Sequence, residues 1–343
     1  MQGVQKGVLR ASPVAERSPM KVLLSSVGKL VIRPYLQGDE KEILRLFKLV
    51  FGKEKGYHLW LWEFLQTPLG TQIMLGFLNG KLVAQCAGIP VHIYSRGQVL
   101  KASQVVDCMS HPKIRGVAVE KKGIFALVVE EFFRAYTGKR GSCFVYGFPS
   151  ERHFLLGKRL LGYRKIRQIS EIVVEHPRAG VHGAREVEGN KLKRAKSEVD
   201  RLALEDAGKL GLCILKHWEY FRWRYVLKPH CGYRFFVMEG PGGKIKALAV
   251  VKDEKNRFLV LDVLGLDRIT EMVGAVVDKL KKPAVLWLPK GDRRAESLLE
   301  EGATEVPPSI PAVPCTVPFC EEYVSLKQLK EEFFYCAGDS DLF

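Results

Sequence analysis

Residues 111–125 read His-Pro-Lys-Ile-Arg-Gly-Val-Ala-Val-Glu-Lys-Lys-Gly-Ile-Phe, a basic segment that contains two glycines. A β-rich segment, 102–109, precedes it, and a segment with apolar residues at helical spacing, 123–136, follows it. A strand, a basic turn with glycines and a helix N-terminus form a layout that favours phosphate, because free backbone N–H groups and the helix dipole attract anions. An ordinary βα loop with solvated lysines is the alternative interpretation.

The segments on the N-terminal side predict a strand, a helix and a hairpin. Residues 28–52 read as a strand followed by an amphipathic helix. Residues 71–78 and 81–94 are β-rich and flank Asn79-Gly80, and Asn-Gly between two such runs is a strong hairpin signal. The pattern predicts an α/β chain (α+β, mixed sheet) with mostly antiparallel strands.

An internal repeat suggests that this layout occurs twice. Trp62 is followed by Pro68 and Trp223 by Pro229, six residues apart in both cases. A strand, a glycine turn and a strand that begins with lysine follow each proline. Coincidence between two aromatic-rich helices is the alternative. The second copy has only a short turn, residues 265–268, where the first has the basic loop, and Asp267 in that turn suits a helix cap.

Composition and charge bound the class of protein. With 343 residues, 47% hydrophobic and 27% charged, the chain resembles an ordinary globular protein of two domains. No apolar run approaches the roughly 20 residues that span a bilayer, so no membrane partner is expected. The net charge of +16 favours an anionic partner, which can be a phosphorylated cofactor, a nucleic acid or an acidic lipid. No nucleic-acid-binding motif accompanies the charge.

The cysteines and histidines predict no metal site and no disulfides. None of the eight cysteines forms a C-x-x-C pair, which favours reduced thiols and a cytoplasmic location. His217, His230 and Cys231 lie near one another in sequence, but their spacing matches no standard zinc pattern.

Domain boundaries follow from the aromatic residues. Residues 164–217 contain no Phe, Trp or Tyr and are rich in charge, so they are expected to seed little core. We therefore predict a poorly ordered leader over 1–27, a first domain over 28–170, a charged connection over 171–204 and a second domain over 205–343. An incorrectly assigned start ahead of Met20 is the alternative for the leader.

The basic loop resembles the signature of the GNAT superfamily of acyl-CoA-dependent N-acyltransferases, [QR]-x-x-G-x-[GA]. When residues 117–121 are treated as a five-residue insertion, the loop reads Arg115-Gly116-Lys122-Gly123-Ile124-Phe125. His111-Pro112 and the segment 144–152 are also similar to that superfamily, and the resemblance covers about 28–170. The second half resembles the degenerate domain of tandem-GNAT proteins.

Two departures from the family pattern stand out. Phe125 replaces a small residue, and Gly157-Lys158 occupies the place where many members carry a tyrosine that protonates the leaving thiolate. The general acid is therefore not identified by the resemblance.

The resemblance implies an N-acetyltransferase that moves an acetyl group from acetyl-CoA to a primary amine by direct attack in a ternary complex. A non-catalytic acyl-CoA-binding or scaffold protein is the alternative, and a nucleic-acid binder is the weakest one. The acceptor and the oligomeric state stay open. The residues expected to bind acetyl-CoA are Met109, Ser110, His111, Arg115, Gly116, Lys121, Lys122, Gly123, Ile124 and Phe125.

Two residues are candidates for proton transfer. Asp107 lies on the strand expected to line the acyl site and is the candidate base; a carboxylate bonded to a neighbouring element is the alternative. Tyr146 on the next strand can donate a proton, although a tyrosine on a central strand commonly belongs to the core. A backbone N–H of residues 108–110 is expected to bind the oxyanion.

Overall fold

The structure, a computed structural model, describes residues 20–119, 121–176 and 183–343. The helices are α1 (Glu40–Phe51), α2 (Tyr57–Phe64), α3 (Ile124–Tyr136), α4 (Glu151–Leu160), α5 (Lys196–Leu210), α6 (Trp218–Phe221), α7 (Ile269–Leu280), α8 (Arg293–Glu300) and α9 (Leu326–Glu331). No helix among these residues is long and apolar enough to cross a bilayer.

The strands confirm the predicted mixed α/β class. They are β1 (Lys21–Ser25), β2 (Gly28–Pro34), β3 (Gln72–Leu78), β4 (Lys81–Ser95), β5 (Gln98–Ser110), β6 (Ala118–Val119), β7 (Lys122–Gly123), β8 (Phe144–Gly147), β9 (Arg164–Lys165), β10 (Ile169–Val174), β11 (Ala184–Val187), β12 (Leu212–Ile214), β13 (Tyr233–Glu239), β14 (Ile245–Asp253), β15 (Phe258–Leu264), β16 (Ala284–Pro289), β17 (Thr304–Val306) and β18 (Cys315–Pro318).

The chain divides into two compact units. The first ends at Pro90 and resumes over Val105–Gly141, and the second comprises Val91–Gln104 and Ser142–Phe343. Strands β4 and β5 therefore contribute residues to both units. These bounds differ from those of the predicted domains, 28–170 and 205–343, which stay a prediction.

In the first unit, β1, β2, β3 and β4 pair antiparallel in that order. The predicted hairpin is confirmed, because Leu78 pairs with Lys81 and Asn79 and Gly80 both have positive φ, 50° and 77°. Helix α3 packs on β3 and needs glycine there: a Cβ on Gly76 would lie 2.6 Å from Val128. The amphipathic pattern thus predicted the correct helix.

The predicted leader is too long. Residues 1–19 lie outside the described residues, but Lys21–Ser25 form strand β1, which pairs with β2. Only Leu23 of this strand is buried. The sequence therefore shows no clear alternation of apolar and polar residues from which the strand could be recognised.

In the second unit, seven strands form one sheet in the order β11-β13-β14-β15-β16-β10-β17. β8 pairs with β18, and β18 with β9. The aromatic-free stretch was expected to seed little core, and this was wrong for β10, because Ile169, Ile172 and Val174 are buried without any aromatic residue. The helix predicted near residues 193–204 is present as α5.

The repeated order of elements is confirmed. The first copy runs α2, β3, β4, β5, α3, β8, and the second runs α6, β13, β14, β15, α7, β16. The parallel pair also recurs, since Ser103 pairs with Val145 between β5 and β8, and Phe258 pairs with Ala284 between β15 and β16.

Candidate active site

The turn after β5 is shaped by His111. Its backbone N–H donates to the Val83 carbonyl at 2.7 Å, which ties the end of β5 to β4. Its Nδ1 accepts from the Lys113 N–H at 3.1 Å and so caps the short 3-10 turn Pro112–Ile114. His111 therefore holds the loop, and Ser110 beside it is half-buried.

The predicted insertion forms a hairpin. Ala118 pairs with Gly123 and Val119 with Lys122, while Glu120 lies outside the described residues. At the base of the hairpin, the Ile124 N–H donates to the Val117 carbonyl at 3.4 Å. The two halves of the loop motif are thereby brought together at one hairpin base.

No side chain among the described residues caps the N-terminus of α3. Gly123 is the N-cap residue, with φ −64° and ψ 141°, and the first turn contains no acidic residue. No heavy atom lies within 4 Å of the position that a Cβ on Gly123 would take. Ile124 is buried and Phe125 half-buried, so both anchor the helix start in the core. The start of α3 favours an anion through the helix dipole, although the Ile124 N–H already donates to the Val117 carbonyl.

Basic side chains surround this helix start. Arg115 and Lys121 are exposed, and the intervening Gly116 has φ 88°, which favours glycine. Lys122 contacts both Glu130 oxygens, at 2.7 and 2.9 Å, across an exposed part of α3. Among the described residues of the loop, the charged side chains are basic, and Glu130 of α3 is an acidic neighbour.

Asp107 lies at an irregularity in β5. Its φ of 46° is unusual for a residue other than glycine, and the alternation of burial breaks there, because Asp107 and Cys108 are both half-buried. Its carboxylate accepts from Lys55 at 2.5 Å, and its backbone carbonyl accepts from Gln85 at 3.2 Å. Met109, the next inward residue, is buried, so only its backbone can contact a ligand.

Sequence reasoning missed two charged residues at this point. The Lys55 ammonium also lies 2.5 Å from Glu63 of α2, and all three side chains are about one-tenth exposed. Burial alone would lower the pKa of Lys55, but Glu63 and Asp107 together raise it above its ordinary value. A charged residue inside the apolar helix 57–64 was the available signal.

Tyr146 lies in the second unit and is fully buried. Its ring packs against Phe144, Phe148 and Phe333, and its hydroxyl finds no hydrogen-bond partner among the described residues. Burial, followed by Tyr220 and Asp339, raises the pKa of Tyr146 well above its ordinary value. The hydroxyl therefore keeps its proton near neutral pH.

One described group has the composition of a metal site. Asp262, Cys336 and Asp339 are buried in the second unit, with their ligand atoms close together. The Lys216 ammonium lies 2.8 Å from Asp262, 3.0 Å from Cys336 and 3.1 Å from Asp339. The lysine supplies the positive charge that this group requires, so the cluster reads as a buried ion network.

Part of the chain matches a known protein family. Residues 31–163 match the family described as an acetyltransferase (GNAT) domain. No curated protein sequence matches the chain significantly.

Three solved structures are similar in fold over most of the chain. A conserved Enterococcus faecalis V583 protein of unknown function, titled a probable N-acyltransferase, has a TM-score of 0.66 at 11% identity, covering 85% of this chain and 73% of its own. GCN5-related N-acetyltransferases from Anabaena variabilis ATCC 29413 and Kribbella flavida have TM-scores of 0.64 and 0.63, at 11% and 12% identity. The first covers 84% of this chain and 72% of its own, and the second 86% and 72%.

The family match indicates a general class of reaction, the transfer of an acyl group. GNAT domains use acyl-CoA, so this domain supports acyl transfer. Residues 31–163 thus match the model of a GNAT acetyltransferase domain, and the chain has the fold of the solved structures to which it is similar.

Proposed function

We propose that the protein is an N-acetyltransferase that moves the acetyl group of acetyl-CoA to a primary amine by direct attack in a ternary complex. The observation that carries the proposal is the uncapped start of α3, joined by the β6–β7 hairpin to Arg115 and Gly116. Glycine at both ends of this hairpin lets a phosphate approach the backbone closely. The acceptor is a small molecule or peptide amine whose identity stays open.

In this proposal the positive end of the α3 dipole faces the pyrophosphate. Arg115, Lys121 and Lys122 neutralise its charge, while Ile124 and Phe125 anchor the helix and His111 holds the turn. Lys122 leaves Glu130 to do so, which costs less than about 1 kcal/mol because that ion pair is exposed. The backbone of Met109 and Ser110 binds the acyl end of the cofactor.

The chemistry needs a base, an oxyanion donor and a proton for the leaving group. Asp107 takes the proton of the ammonium, and the free amine attacks the thioester carbonyl. A backbone N–H of residues 108–110 donates to the tetrahedral oxyanion, which then expels the CoA thiolate. Tyr146, which keeps its proton, or a water molecule protonates the thiolate, and the second proton lost by the tetrahedral nitrogen replaces the one that was donated.

Acyl-CoA binding without catalysis is the second candidate. Gly157 stands where many family members carry the tyrosine acid, and a Cβ on Gly157 would lie 2.3 Å from the Tyr163 ring. Close packing of α4 therefore requires glycine in this stretch, which favours an acid supplied from elsewhere or none at all.

We also propose one acetyl-CoA site per chain and a cytoplasmic location. The turn of the second copy, residues 265–268, is short and lacks the basic loop. None of the eight cysteines forms a disulfide, which supports a reducing compartment.

Turnover with a panel of amines tests the function. Free thiol release from acetyl-CoA should depend on the amine, and calorimetry should give one site per chain. Asp107→Asn should lower turnover by 10²- to 10⁴-fold, the usual contribution of acid–base catalysis, roughly, without changing acetyl-CoA affinity. Binding without turnover on any amine would favour the second candidate, and no binding would overturn both.

A further inference from the structure

Three charged side chains of the first unit meet at the irregularity in β5. Lys55 lies between α1 and α2, Glu63 on α2 and Asp107 on β5, and the lysine nitrogen is 2.5 Å from an oxygen of each acid. The two carboxylate oxygens therefore lie within about 5 Å of each other, a separation at which like charges repel appreciably when little solvent intervenes.

Aromatic rings hold the ammonium in this place. Its nitrogen lies 4.7 Å from the Phe47 ring centre and 5.4 Å from that of Phe64. Cation–π attraction stabilises a lysine there only while it is charged. The lysine is thus held as a cation by rings on α1 and α2 as well as by two acids.

The backbone of Asp107 needs support of this kind. A residue other than glycine with positive φ costs about 1–3 kcal/mol and persists only where its surroundings enforce it. Gln85 from β4 holds the Asp107 carbonyl, and Lys55 holds its carboxylate. Because the lysine is also anchored on Glu63, the carboxylate is fixed relative to α2 as well as to β4.

We propose that Lys55 and Glu63 are positioning residues for Asp107, with Lys55 sharing its ammonium between the two acids so that Asp107 stays ionised and correctly turned. The inference rests on the proposed function, in which Asp107 is the base. The charged groups seen to face Asp107 include Lys55 and Glu63; Gln85 is a neutral amide, and the Cys86 and Cys108 thiols lie together 3.7 Å apart.

The pH dependence of turnover tests the proposal, because a purely structural role of Lys55 would leave it unchanged. In Lys55→Met, the two acids face each other without the cation, so one of them stays protonated to higher pH. The acidic limb of kcat/KM should then shift up by about 1–2 pH units, with acetyl-CoA affinity unchanged. Lys55→Arg keeps the positive charge, so its acidic limb should lie close to the wild-type position.

The decisive variant removes the repulsion as well. In Lys55→Met with Glu63→Gln, a single acid remains, so the limb should return toward the wild-type position. A limb that does not move in Lys55→Met, or that stays shifted in the double variant, would overturn the proposal. Lys48→Met is the matched control, because Lys48 pairs with Glu54 at the surface.

A second readout separates this inference from the proposed function. Carbon-13 NMR titration of the side-chain carboxyls follows Glu63 and Asp107 in the whole chain without any turnover. A raised carboxyl titration in Lys55→Met that Glu63→Gln removes supports the coupling even if no amine is acetylated. An unchanged titration refutes the coupling even if the enzyme is active. An active Asp107→Asn variant would show that Asp107 is not the base, so Lys55 and Glu63 would have no catalytic group to position.

Discussion

The two copies differ most at the junction between their third strand and the following helix. After β5, the chain forms the β6–β7 hairpin, and α3 starts at Ile124, with Gly123 as the N-cap residue and no side-chain cap among the described residues. After β15, the chain turns at Gly265, whose N–H donates to the Asp206 carboxylate at 2.7 Å. The Leu266 N–H donates to the same carboxylate at 3.0 Å.

This contrast shows how a junction of this type can lose an anion site. In the second copy, the carboxylate of Asp206 on α5 already occupies the backbone N–H groups that a phosphate would use. Gly265 has φ 80°, and a Cβ on it would lie 2.3 Å from the Lys246 carbonyl, so this turn is closely packed. In the first copy the space around Gly123 is open.

The largest expected effect comes from removing the internal carboxylate. Asp206→Ala leaves two backbone N–H groups without their acceptor in a buried turn, at about 1–3 kcal/mol each. We expect the free energy of unfolding to fall by about 2–4 kcal/mol in urea titrations at pH 7. Glu205→Ala, at an exposed neighbour on α5, is the control and should change it by less than about 1 kcal/mol. Equal stability of Asp206→Ala and wild type would mean that the carboxylate does not hold the turn.

The reverse change places a carboxylate at the first junction. Gly123→Asp fits sterically and provides a favourable N-cap, so the fold should be as stable as wild type or more so. The same charge repels pyrophosphate, and acetyl-CoA affinity measured by calorimetry should fall by about 10- to 100-fold. Gly123→Asn caps the helix without charge and should lose much less. Wild-type affinity in Gly123→Asp would show that acetyl-CoA binds elsewhere.

The stability of the second junction should depend on pH through Asp206. Burial raises its pKa to about 6, although the two N–H groups act in the opposite direction. Since the folded state then binds a proton more tightly than the unfolded one, the proton-linked part of this group's contribution to stability is complete below pH 4, roughly, and is lost as the pH rises through 6, roughly, while the two hydrogen bonds from the backbone remain. Asp206→Asn does not titrate, so its stability relative to wild type should improve by about 2 kcal/mol between pH 4 and 7.5. Urea titrations at both pH values measure this difference, and a constant difference would contradict the raised pKa.

The smallest effect concerns Lys122. Because its pair with Glu130 is exposed, Lys122→Met should change the free energy of unfolding by less than about 0.5 kcal/mol. Acetyl-CoA affinity should fall by about 2- to 5-fold at low salt, and this loss should shrink as ionic strength rises. Lys41→Met on α1 serves as the matched control. A salt-independent loss would assign Lys122 a role other than charge neutralisation.

Elements with a strong period or turn signal were predictable from the sequence. Asn79-Gly80 indicated the hairpin, and the apolar spacing of 123–136 indicated α3, because these signals are local. Strand β1 could not be predicted, since a single inward residue, Leu23, gives no recognisable period. β10 was missed because its aliphatic core was discounted for lacking aromatic residues.

The candidate site was predictable only where it is contiguous. The loop residues 111–125 stand together in the sequence, so their chemistry could be read directly. Lys55 and Glu63 reach Asp107 from a distant part of the chain, and only the three-dimensional fold brings them together. Asp267 was expected to cap α7, but it forms an ion pair with Lys209. Such long-range partners compete with local preferences and leave no local pattern.

The β6–β7 hairpin has a consequence for how this loop can vary. A hairpin returns the chain to the point from which it left, so the distance between Val117 and Ile124 depends on the base pairing and not on the number of residues beyond it. The tip can therefore be lengthened, shortened or replaced while the two ends of the motif keep their separation. The length of the tip is therefore less constrained than its charge, because Lys121 at the tip is one of the basic residues proposed to neutralise the pyrophosphate.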